Sequence, residues 1–201
     1  MGPIRLSVIV PTIRESLKTM LDGLLPQLSV GDEVLVIGDG PRPAVRSICD
    51  SYGTGIVRYW EIPLTMNYGN PQRNEAIERA GGTHLHFLDD DDLTVPDSIS
   101  RIKKAASECP DRPLMFRMHH HSTVLWSVPR LMLGNVSGQM FVVPNVPGRL
   151  GRWSGKYSAD FDFIRSTLDR YPDGEGAIVW REEIVAVQGQ AGPHAAGGIE
   201  R

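Results

Sequence analysis

The sequence predicts an α/β fold with a doubly wound, mainly parallel sheet, and two observations support this prediction. Short apolar runs alternate with segments of helical periodicity along the first half of the chain. Three polar clusters each follow directly on one of those runs, as expected at the carboxyl ends of parallel strands. This strand–helix order favours parallel pairing with right-handed crossovers, and a smaller, less regular half follows it.

Composition is typical of a globular protein, because 41% of the 201 residues are hydrophobic and 22% are charged. The net charge of −3 gives no electrostatic case for nucleic-acid binding. Cys49 and Cys109 lie far apart without metal-binding spacing, so we expect free thiols in a reducing compartment. The sequence shows neither a signal peptide nor an apolar run of transmembrane length, so the expected location is cytoplasmic.

The predicted elements of the first half follow from apolar runs and their turn residues. Ser16 is expected to cap a first helix, and Asn70, followed by Pro71, is expected to cap a third. The strands are predicted at 6–10, 33–37, 55–60 and 83–88, and further helices at 43–52 and after Pro96. In the second half we predict strands at 114–118, 122–128, 139–143 and 178–187, a loop at 148–155 and a helix at 158–170.

Four adjacent carboxylates, Asp89, Asp90, Asp91 and Asp92, follow the fourth predicted strand. Adjacent like charges are unfavourable unless a positive group lies among them. In an extended chain, Asp89 and Asp91 would point to one side and the other two to the opposite side. Paired oxygen donors at a strand end suit Mn²⁺ or Mg²⁺, which can hold a diphosphate. A solvated acidic turn is the alternative.

Arg73 is predicted to lie on the buried stripe of the third helix, because Ala76, Ile77 and Ala80 share its face. An arginine in that position needs an anion or an aromatic face. A diphosphate, a nucleobase or one of the neighbouring aspartates would satisfy it.

Asp160 shares its helix face with Phe163 and Ile164, whereas Asp162 shares a face with Arg165. Asp160 is therefore expected to point toward the core or a pocket, and Asp162 toward solvent. A carboxylate beside an apolar pocket can have a raised pKa and act as a general base. Stabilisation of the helix N-terminus is the alternative role.

Histidines are weaker candidates for a metal site. The adjacent side chains of residues 119–121 alternate between the two faces of a strand, so they cannot all bind one ion. His194, in the glycine-rich tail that is expected to be mobile, is the better candidate for an additional ligand.

Together these segments resemble family 2 glycosyltransferases of the GT-A fold. The resemblance covers about residues 4–106 and rests on Ser-Val-Ile-Val-Pro-Thr at 7–12, Val-Leu-Val-Ile-Gly-Asp-Gly-Pro at 34–41, Arg-Asn-Glu-Ala at 73–76 and Phe-Leu-Asp-Asp-Asp-Asp at 87–92. In the second half, Ala-Asp-Phe-Asp at 159–162 resembles the family's Glu-Asp motif. The chain departs from the family at Gly38, where an aspartate is usual, and at Ala159, where a glutamate is usual.

The resemblance implies transfer of a sugar from a nucleotide-diphosphate sugar, most simply a UDP-sugar, to an acceptor hydroxyl with inversion. Asp160 would be the general base, and Asp91 and Asp89 would bind Mn²⁺ or Mg²⁺ with His194 as an extra ligand. The residues implied in donor binding are Pro11, Thr12, Arg14, Asp39, Arg73, Asp89 and Asp90. A single domain over 1–201 would comprise a donor half (1–106) and an acceptor half (107–201), the latter so short that a partner or homo-oligomer could complete it.

Two other functions stay open. Residues 90–95 fit the DxDxT pattern of haloacid dehalogenase-type phosphatases, although there the motif follows the first strand of the core. A degenerate transferase domain that binds nucleotide or sugar without catalysis is the second, and the departures at Gly38 and Ala159 favour it. The acceptor is equally open among polysaccharide, lipid, protein and modified DNA base. Trp153, Tyr157 and Trp180 are candidates for stacking on sugar faces.

Overall fold

The computed structural model describes residues 2–53 and 55–189. The tail from residue 190 onward, including His194, lies outside the described residues. The nine strands are β1 (Leu6–Thr12), β2 (Glu33–Asp39), β3 (Val57–Ile62), β4 (His84–Phe87), β5 (Leu93–Thr94), β6 (Leu114–His120), β7 (Thr123–Leu125), β8 (Phe141–Pro144) and β9 (Val179–Val187). The helices are α1 (Leu17–Leu24), α2 (Pro43–Ser51), α3 (Asn70–Arg79), α4 (Ser98–Glu108) and α5 (Ala159–Leu168), with 3₁₀ turns at Leu25–Gln27, Gly138–Met140 and Gly174–Ala177.

All nine strands belong to one sheet that runs through both predicted halves. The first four are parallel in the order β3-β2-β1-β4, which confirms the predicted α/β arrangement. Beyond β4 the sheet becomes mixed: β8 is antiparallel to β4 and to β6, β9 is parallel to β6, and β5 and β7 are antiparallel to β9 and β6.

The parallel strands form because their sequences are nearly continuous apolar runs. Every residue of β1 is buried, as is all of β2 after Glu33. Strands buried on both faces need cover on both sides, which the connecting helices supply. Helix α1 contributes a stripe of buried residues to this core, namely Leu17, Met20, Leu21 and Leu24.

Neither predicted capping hydrogen bond forms, although Ser16 does occupy the position before α1. The Ser16 side chain makes no capping hydrogen bond, and its backbone is already helical. Gly69, not Asn70, precedes α3, with a left-handed φ of 75°. Only glycine fits there, because a Cβ atom at Gly69 would lie 2.6 Å from Cβ of Pro11. The close approach of α3 to the end of β1 therefore decides where the helix begins.

The strand predicted at 122–128 is only three residues long, because local hydrogen bonds replace the ladder beyond it. Asn135 accepts a hydrogen bond from the Ser127 backbone N–H at 3.1 Å. Its amide group donates to the carbonyls of Val128 at 3.0 Å and Arg130 at 2.7 Å. The buried Asn135 side chain thus satisfies backbone hydrogen-bonding groups in a loop that the apolar pattern predicted to be a strand.

Cys49 and Cys109 are free, as expected, and burial raises the pKa of Cys49 to about 12. Within the described residues, no helix is both long enough and apolar enough to cross a membrane.

His86 lies in β4 at the centre of the sheet and is completely buried. Its Nε2–H donates to the carbonyl of Gln139 at 3.0 Å, and burial lowers the pKa of the imidazole to about 4. The folded protein therefore holds this histidine neutral at pH values where the unfolded chain would protonate it.

We expect this histidine to make the fold acid-sensitive. The pKa of His86 in the folded protein lies below the ordinary value of 6.5. The stability that follows from keeping His86 neutral is therefore fully present above pH 6.5 and is lost as the pH falls toward 4. The free energy of unfolding should drop by about 3 kcal/mol relative to His86→Gln between pH of about 7.5 and about 4. Urea denaturation of both proteins measures the difference, and a pH-independent gap between them would contradict this account.

Candidate active site

A cleft of about 570 Å³ opens at the carboxyl ends of β1, β2 and β4. Strand β1 lies between β2 and β4, so the cleft sits where the strand order changes direction, the usual ligand position in such sheets. The lining includes six of the seven predicted donor-binding residues, namely Pro11, Thr12, Arg14, Asp39, Asp89 and Asp90. The predicted metal ligand Asp91 also lines the cleft, as does Asp92, whereas Arg73 is not part of the lining. The loop after β3 adds Leu64, Met66, Tyr68 and Gly69.

The four aspartates form a tight turn, here called the acidic turn (residues 89–92). The backbone N–H of Asp92 donates to the Asp89 carbonyl at 3.2 Å, and the backbone N–H of Asp89 donates to the Asp92 carboxylate at 2.8 Å. The expectation of an extended segment with alternating side chains is therefore wrong. The turn brings Asp90 and Asp91 to one arginine, because Nη1 of Arg14 lies 2.8 Å from a carboxylate oxygen of each.

Asp90 ties the acidic turn to the end of β1. Its Oδ2 atom accepts hydrogen bonds from the Thr12 hydroxyl at 3.0 Å and from the backbone N–H groups of Ile13 at 2.9 Å and Arg14 at 3.0 Å. Burial raises the pKa of Asp90, and these hydrogen bonds together with the Arg14 charge oppose that rise. Asp90 is therefore the member of the turn most firmly held by the protein itself.

Arg73 lies on the buried face of α3, as predicted, and forms an ion pair with Asp89. Its guanidinium also donates to the Tyr68 carbonyl at 2.8 Å and stacks on Trp153, 4.5 Å from the ring centroid. Of the partners that the sequence left open, an aspartate and an aromatic face are the two present. Asp89 keeps 39% of its side-chain surface exposed in the cleft.

The four carboxylates of the acidic turn outnumber the two arginines, Arg14 and Arg73, that pair with it. Limited hydration raises the pKa of Asp89; the Arg73 charge opposes this rise, and repulsion from Asp160 adds to it. Burial, reinforced by Asp89, raises the pKa of Asp92 well above its usual range. The described residues contain no group of three His, Cys, Asp or Glu side chains arranged to hold a metal ion. The acidic turn nevertheless has more carboxylates than the nearby arginines can neutralise. Carboxylate oxygens are the ligands that divalent ions such as Mg²⁺ prefer.

Asp39 fixes the loop that faces the acidic turn across the cleft. Its Oδ1 atom accepts the backbone N–H of Thr65 at 2.6 Å, and its Oδ2 atom accepts that of Met66 at 2.8 Å. Met66 and Tyr68 both adopt left-handed backbone conformations, with φ values of 49° and 51°. A buried carboxylate thus holds the strained backbone at Met66, two residues before Tyr68.

Asp160 lies in the first turn of α5, with Phe163 and Ile164 of its stripe buried as predicted. Its Oδ2 atom accepts hydrogen bonds from the Ser137 hydroxyl at 2.8 Å and the Gly138 backbone N–H at 3.0 Å. Gly138 directly precedes Gln139, whose amide donates to Asp89 at 2.9 Å. This short segment connects Asp160 to the acidic turn, although Asp160 is not among the residues that line the cleft.

Asp162 does not point freely to solvent, which corrects the sequence prediction. It is half-buried and accepts hydrogen bonds from the hydroxyls of Ser154 at 2.9 Å and Ser158 at 3.3 Å. These serines precede α5 and fold back over its first turn, an arrangement that helical periodicity could not reveal.

Sequence reasoning missed Gln139, because a buried amide next to a predicted strand carries no distinctive signal. The aromatic candidates also separate in the structure. Trp153 stacks on Phe163 with 4.8 Å between ring centroids, and Trp180 packs against Trp126 at 5.2 Å. Tyr157, with 93% of its surface exposed, is the one of the three left available to a ligand.

Comparison with known proteins identifies the family. The model for glycosyl transferase family 2 matches residues 7–159, more than half of the sequence. The chain therefore belongs to glycosyl transferase family 2. EpsH of Bacillus subtilis (strain 168), named as a glycosyltransferase, is 27% identical over 108 residues, which are 54% of this chain and 31% of EpsH.

Among solved structures, S. aureus TarS superposes over 93% of this chain and 37% of its own, with a TM-score of 0.71 and 16% identity. TarS 1–349 in complex with UDP-GlcNAc gives a TM-score of 0.70 at 15% identity, covering 97% of this chain and 61% of that one. This likeness confirms the predicted GT-A-type fold. The chain spans between about a third and three-fifths of the length of these relatives.

The contact between α3 and β1 gives a stability prediction. Gly69→Ala adds a Cβ atom 2.6 Å from Pro11 in a left-handed backbone, and we expect a loss of about 2–5 kcal/mol in the free energy of unfolding. Gly53 is the matched control, because its φ is 77° and a Cβ there meets no described atom within 4 Å. Gly53→Ala should cost only about 1–2 kcal/mol. Equal losses in chemical denaturation would show that the contact with Pro11 is unimportant.

Proposed function

We propose that this chain transfers a sugar from a UDP-sugar to an acceptor hydroxyl. The observation that carries the proposal is the cleft at the ends of β1, β2 and β4, where the acidic turn meets Arg14 and Arg73. Membership of glycosyl transferase family 2 supports the reaction class. The structures of TarS 1–349 in complex with UDP and with UDP-GlcNAc support a nucleotide-sugar donor.

The donor is proposed to lie across the cleft floor. Pro11, Thr12 and Asp39 would face the nucleoside, because they line the cleft at the ends of β1 and β2. The Oδ2 atom of Asp39 accepts one hydrogen bond and keeps a lone pair for a base N–H or a ribose hydroxyl. Arg14 and Arg73 would pair with the diphosphate, for which a planar guanidinium is well suited.

Asp91 and Asp89 are proposed to hold Mn²⁺ or Mg²⁺, with Asp90 fixing the turn beside them. Carboxylate oxygens fit these hard cations. Limited hydration, together with repulsion from neighbouring carboxylates, raises the pKa of Asp89 although the Arg73 charge opposes the rise. A divalent ion in that position would neutralise the charge that develops on the leaving diphosphate. His194 as an additional ligand stays a prediction.

Asp160 is proposed to accept the proton of the attacking hydroxyl. Ser137 and Gly138 hold one of its oxygens, while the other, Oδ1, accepts no hydrogen bond from the described residues. A carboxylate fixed in this way presents its free oxygen in a defined direction. A single displacement from the face opposite the diphosphate inverts the anomeric configuration.

The alternative functions have less support. The DxDxT-like segment begins within the acidic turn after the fourth strand, whereas the phosphatase pattern requires it after the first. The departure at Gly38 has a packing cause, because a Cβ there would lie 2.7 Å from Oη of Tyr59. Ala159 is buried, so a glutamate at this position would place a charge in the core. Neither departure requires a loss of catalysis.

Asp160→Asn tests the proposed base. We expect release of UDP from UDP-GlcNAc with Mn²⁺ and a panel of hydroxyl acceptors to fall by about 100-fold or more. Calorimetric affinity for UDP-GlcNAc should stay within a few-fold, since Asp160 is not part of the cleft lining. Asp162→Asn, two residues along the same helix, is the matched control and should retain activity. Undiminished transfer by Asp160→Asn would remove Asp160 from the mechanism.

Arg14→Gln tests the cation site without requiring turnover. Arg14 pairs with Asp91 at 2.8 Å, so a divalent ion must compete with it for that carboxylate. Removing this competing charge should tighten binding of Mn²⁺ alone by about 2- to 5-fold, which corresponds to the roughly 0.5–1 kcal/mol of a partly exposed charge pair. Electron paramagnetic resonance of free Mn²⁺ measures the affinity, and Asp91→Asn should abolish binding. Tight Mn²⁺ binding that survives Asp91→Asn would place the ion elsewhere.

A further inference from the structure

Two tyrosines meet at the mouth of the cleft from opposite halves of the chain. Tyr68 lies on the loop after β3, lines the cleft and is 64% exposed. Tyr157 lies just before α5 and is 93% exposed. Their rings pack edge to face, with centroids 6.2 Å apart and planes at 83°. We call this pair the tyrosine rim, and it leaves a large aromatic surface open to a ligand.

The protein holds one side of the tyrosine rim in a strained conformation. Tyr68 has a φ of 51°, unusual for a bulky residue, and Met66 nearby has a φ of 49°. Asp39 anchors the backbone at Met66, and Arg73 donates to the Tyr68 carbonyl at 2.8 Å. Two charged side chains thus maintain a strained backbone, and the Tyr68 ring stays exposed. This arrangement indicates a functional rather than a packing role for the ring.

The tyrosine rim adjoins the donor cleft through Tyr68 and the first turn of α5 through Tyr157. Tyr68 is joined through Arg73 to Asp89 in the acidic turn. Tyr157 is three residues before Asp160 in the sequence. The rim therefore borders the proposed donor site and lies on the segment that leads into the helix carrying the proposed base, and an acceptor has to reach both.

Polar groups line a second cavity next to the segments that carry the two tyrosines, although neither tyrosine is part of its lining. This cavity, of about 200 Å³, lies between those segments, and its lining includes Asn67, Asn70, Asn74, Glu75, Arg152 and Ser154. Asn67 is next to Tyr68, and a Cβ atom at Gly155 would lie 3.3 Å from the Asn67 amide, so the two segments are in contact. Flat aromatic faces bordered by amide, hydroxyl and charged groups suit a pyranose ring, which has apolar C–H faces and a hydroxyl edge.

We propose that the tyrosine rim and this second cavity form the acceptor site, and that the acceptor is a carbohydrate. The proposal rests on the transfer reaction proposed above. A lipid acceptor would need a continuous apolar groove, and the polar lining does not provide one. A sugar ring stacked on Tyr68 and Tyr157 would direct a hydroxyl toward Asp160.

Binding of simple glycosides tests the site directly. Saturation-transfer NMR with UDP present would use methyl β-glucoside, methyl β-galactoside and methyl N-acetyl-β-glucosaminide as probes, and glycerol as an acyclic comparison. At least one glycoside should bind the wild type more tightly than glycerol. Tyr68→Ala and Tyr157→Ala should each weaken that glycoside by about 3- to 10-fold, the range expected for loss of one aromatic contact. The two Phe variants should retain it.

Val30→Ala is the matched control, because Val30 is fully exposed before β2, at the edge of the sheet opposite the cleft; glycoside affinity should not change. The proposal is overturned if no glycoside binds better than glycerol, or if the Ala variants bind glycosides as the wild type does. A loss of UDP affinity without a loss of glycoside affinity would also overturn it, since the rim would then belong to the donor.

Calorimetry with UDP-GlcNAc on the same samples separates this proposal from the reaction on which it rests. Tyrosine-dependent glycoside binding without any donor binding would leave the carbohydrate site standing and remove the transferase proposal. Donor binding with no tyrosine-dependent glycoside binding would remove the carbohydrate site and leave the transferase proposal standing.

Discussion

The ion pairs that hold the acidic turn between Arg14 and Arg73 are the interaction on which the site depends. Arg14 comes from the loop after β1, and Arg73 comes from α3, so the turn joins two elements that are distant in sequence. Removing Arg73, which is buried, would leave the Asp89 carboxylate without its positive partner and would destabilise the fold. The position of the turn at the end of β4 is therefore coupled to the positions of β1 and α3.

Core packing and the site share the same residues in the second half of the chain. Trp153 stacks on Phe163 of α5, and the Arg73 guanidinium lies over the same Trp153 ring. Phe87, the last residue of β4, packs edge-on against both aromatic rings. The aromatic cluster that closes the core between β4 and α5 therefore also positions the arginine that pairs with Asp89. This shared packing explains how a short second half can still order the cleft.

Much of the donor half was predictable because its physical signals are local. Continuous apolar runs bounded by turn residues identified β1, β2 and β4, and buried parallel strands need such runs. Helical periodicity placed Arg73 on a buried face, which agrees with the structure. It also placed Asp160 beside Phe163 and Ile164, which are buried, although Asp160 itself is half-buried. The convergence of three polar clusters followed from topology alone, since the carboxyl ends of neighbouring parallel strands share one edge of the sheet.

The remaining details depend on contacts between residues far apart in sequence. The Gly69 cap exists because α3 touches Pro11, and the acidic segment turns because Arg14 and Arg73 supply charges that a strand pattern does not contain. Gln139 meets Asp89 only once β8 has paired with β4. By itself, the sequence determined the order of elements, the edge of the sheet that carries the site and the family resemblance, because these follow from short-range patterns. The tertiary structure alone decided which charges pair, which aromatic rings stay exposed and how Asp160 is held, because these depend on long-range packing in three dimensions.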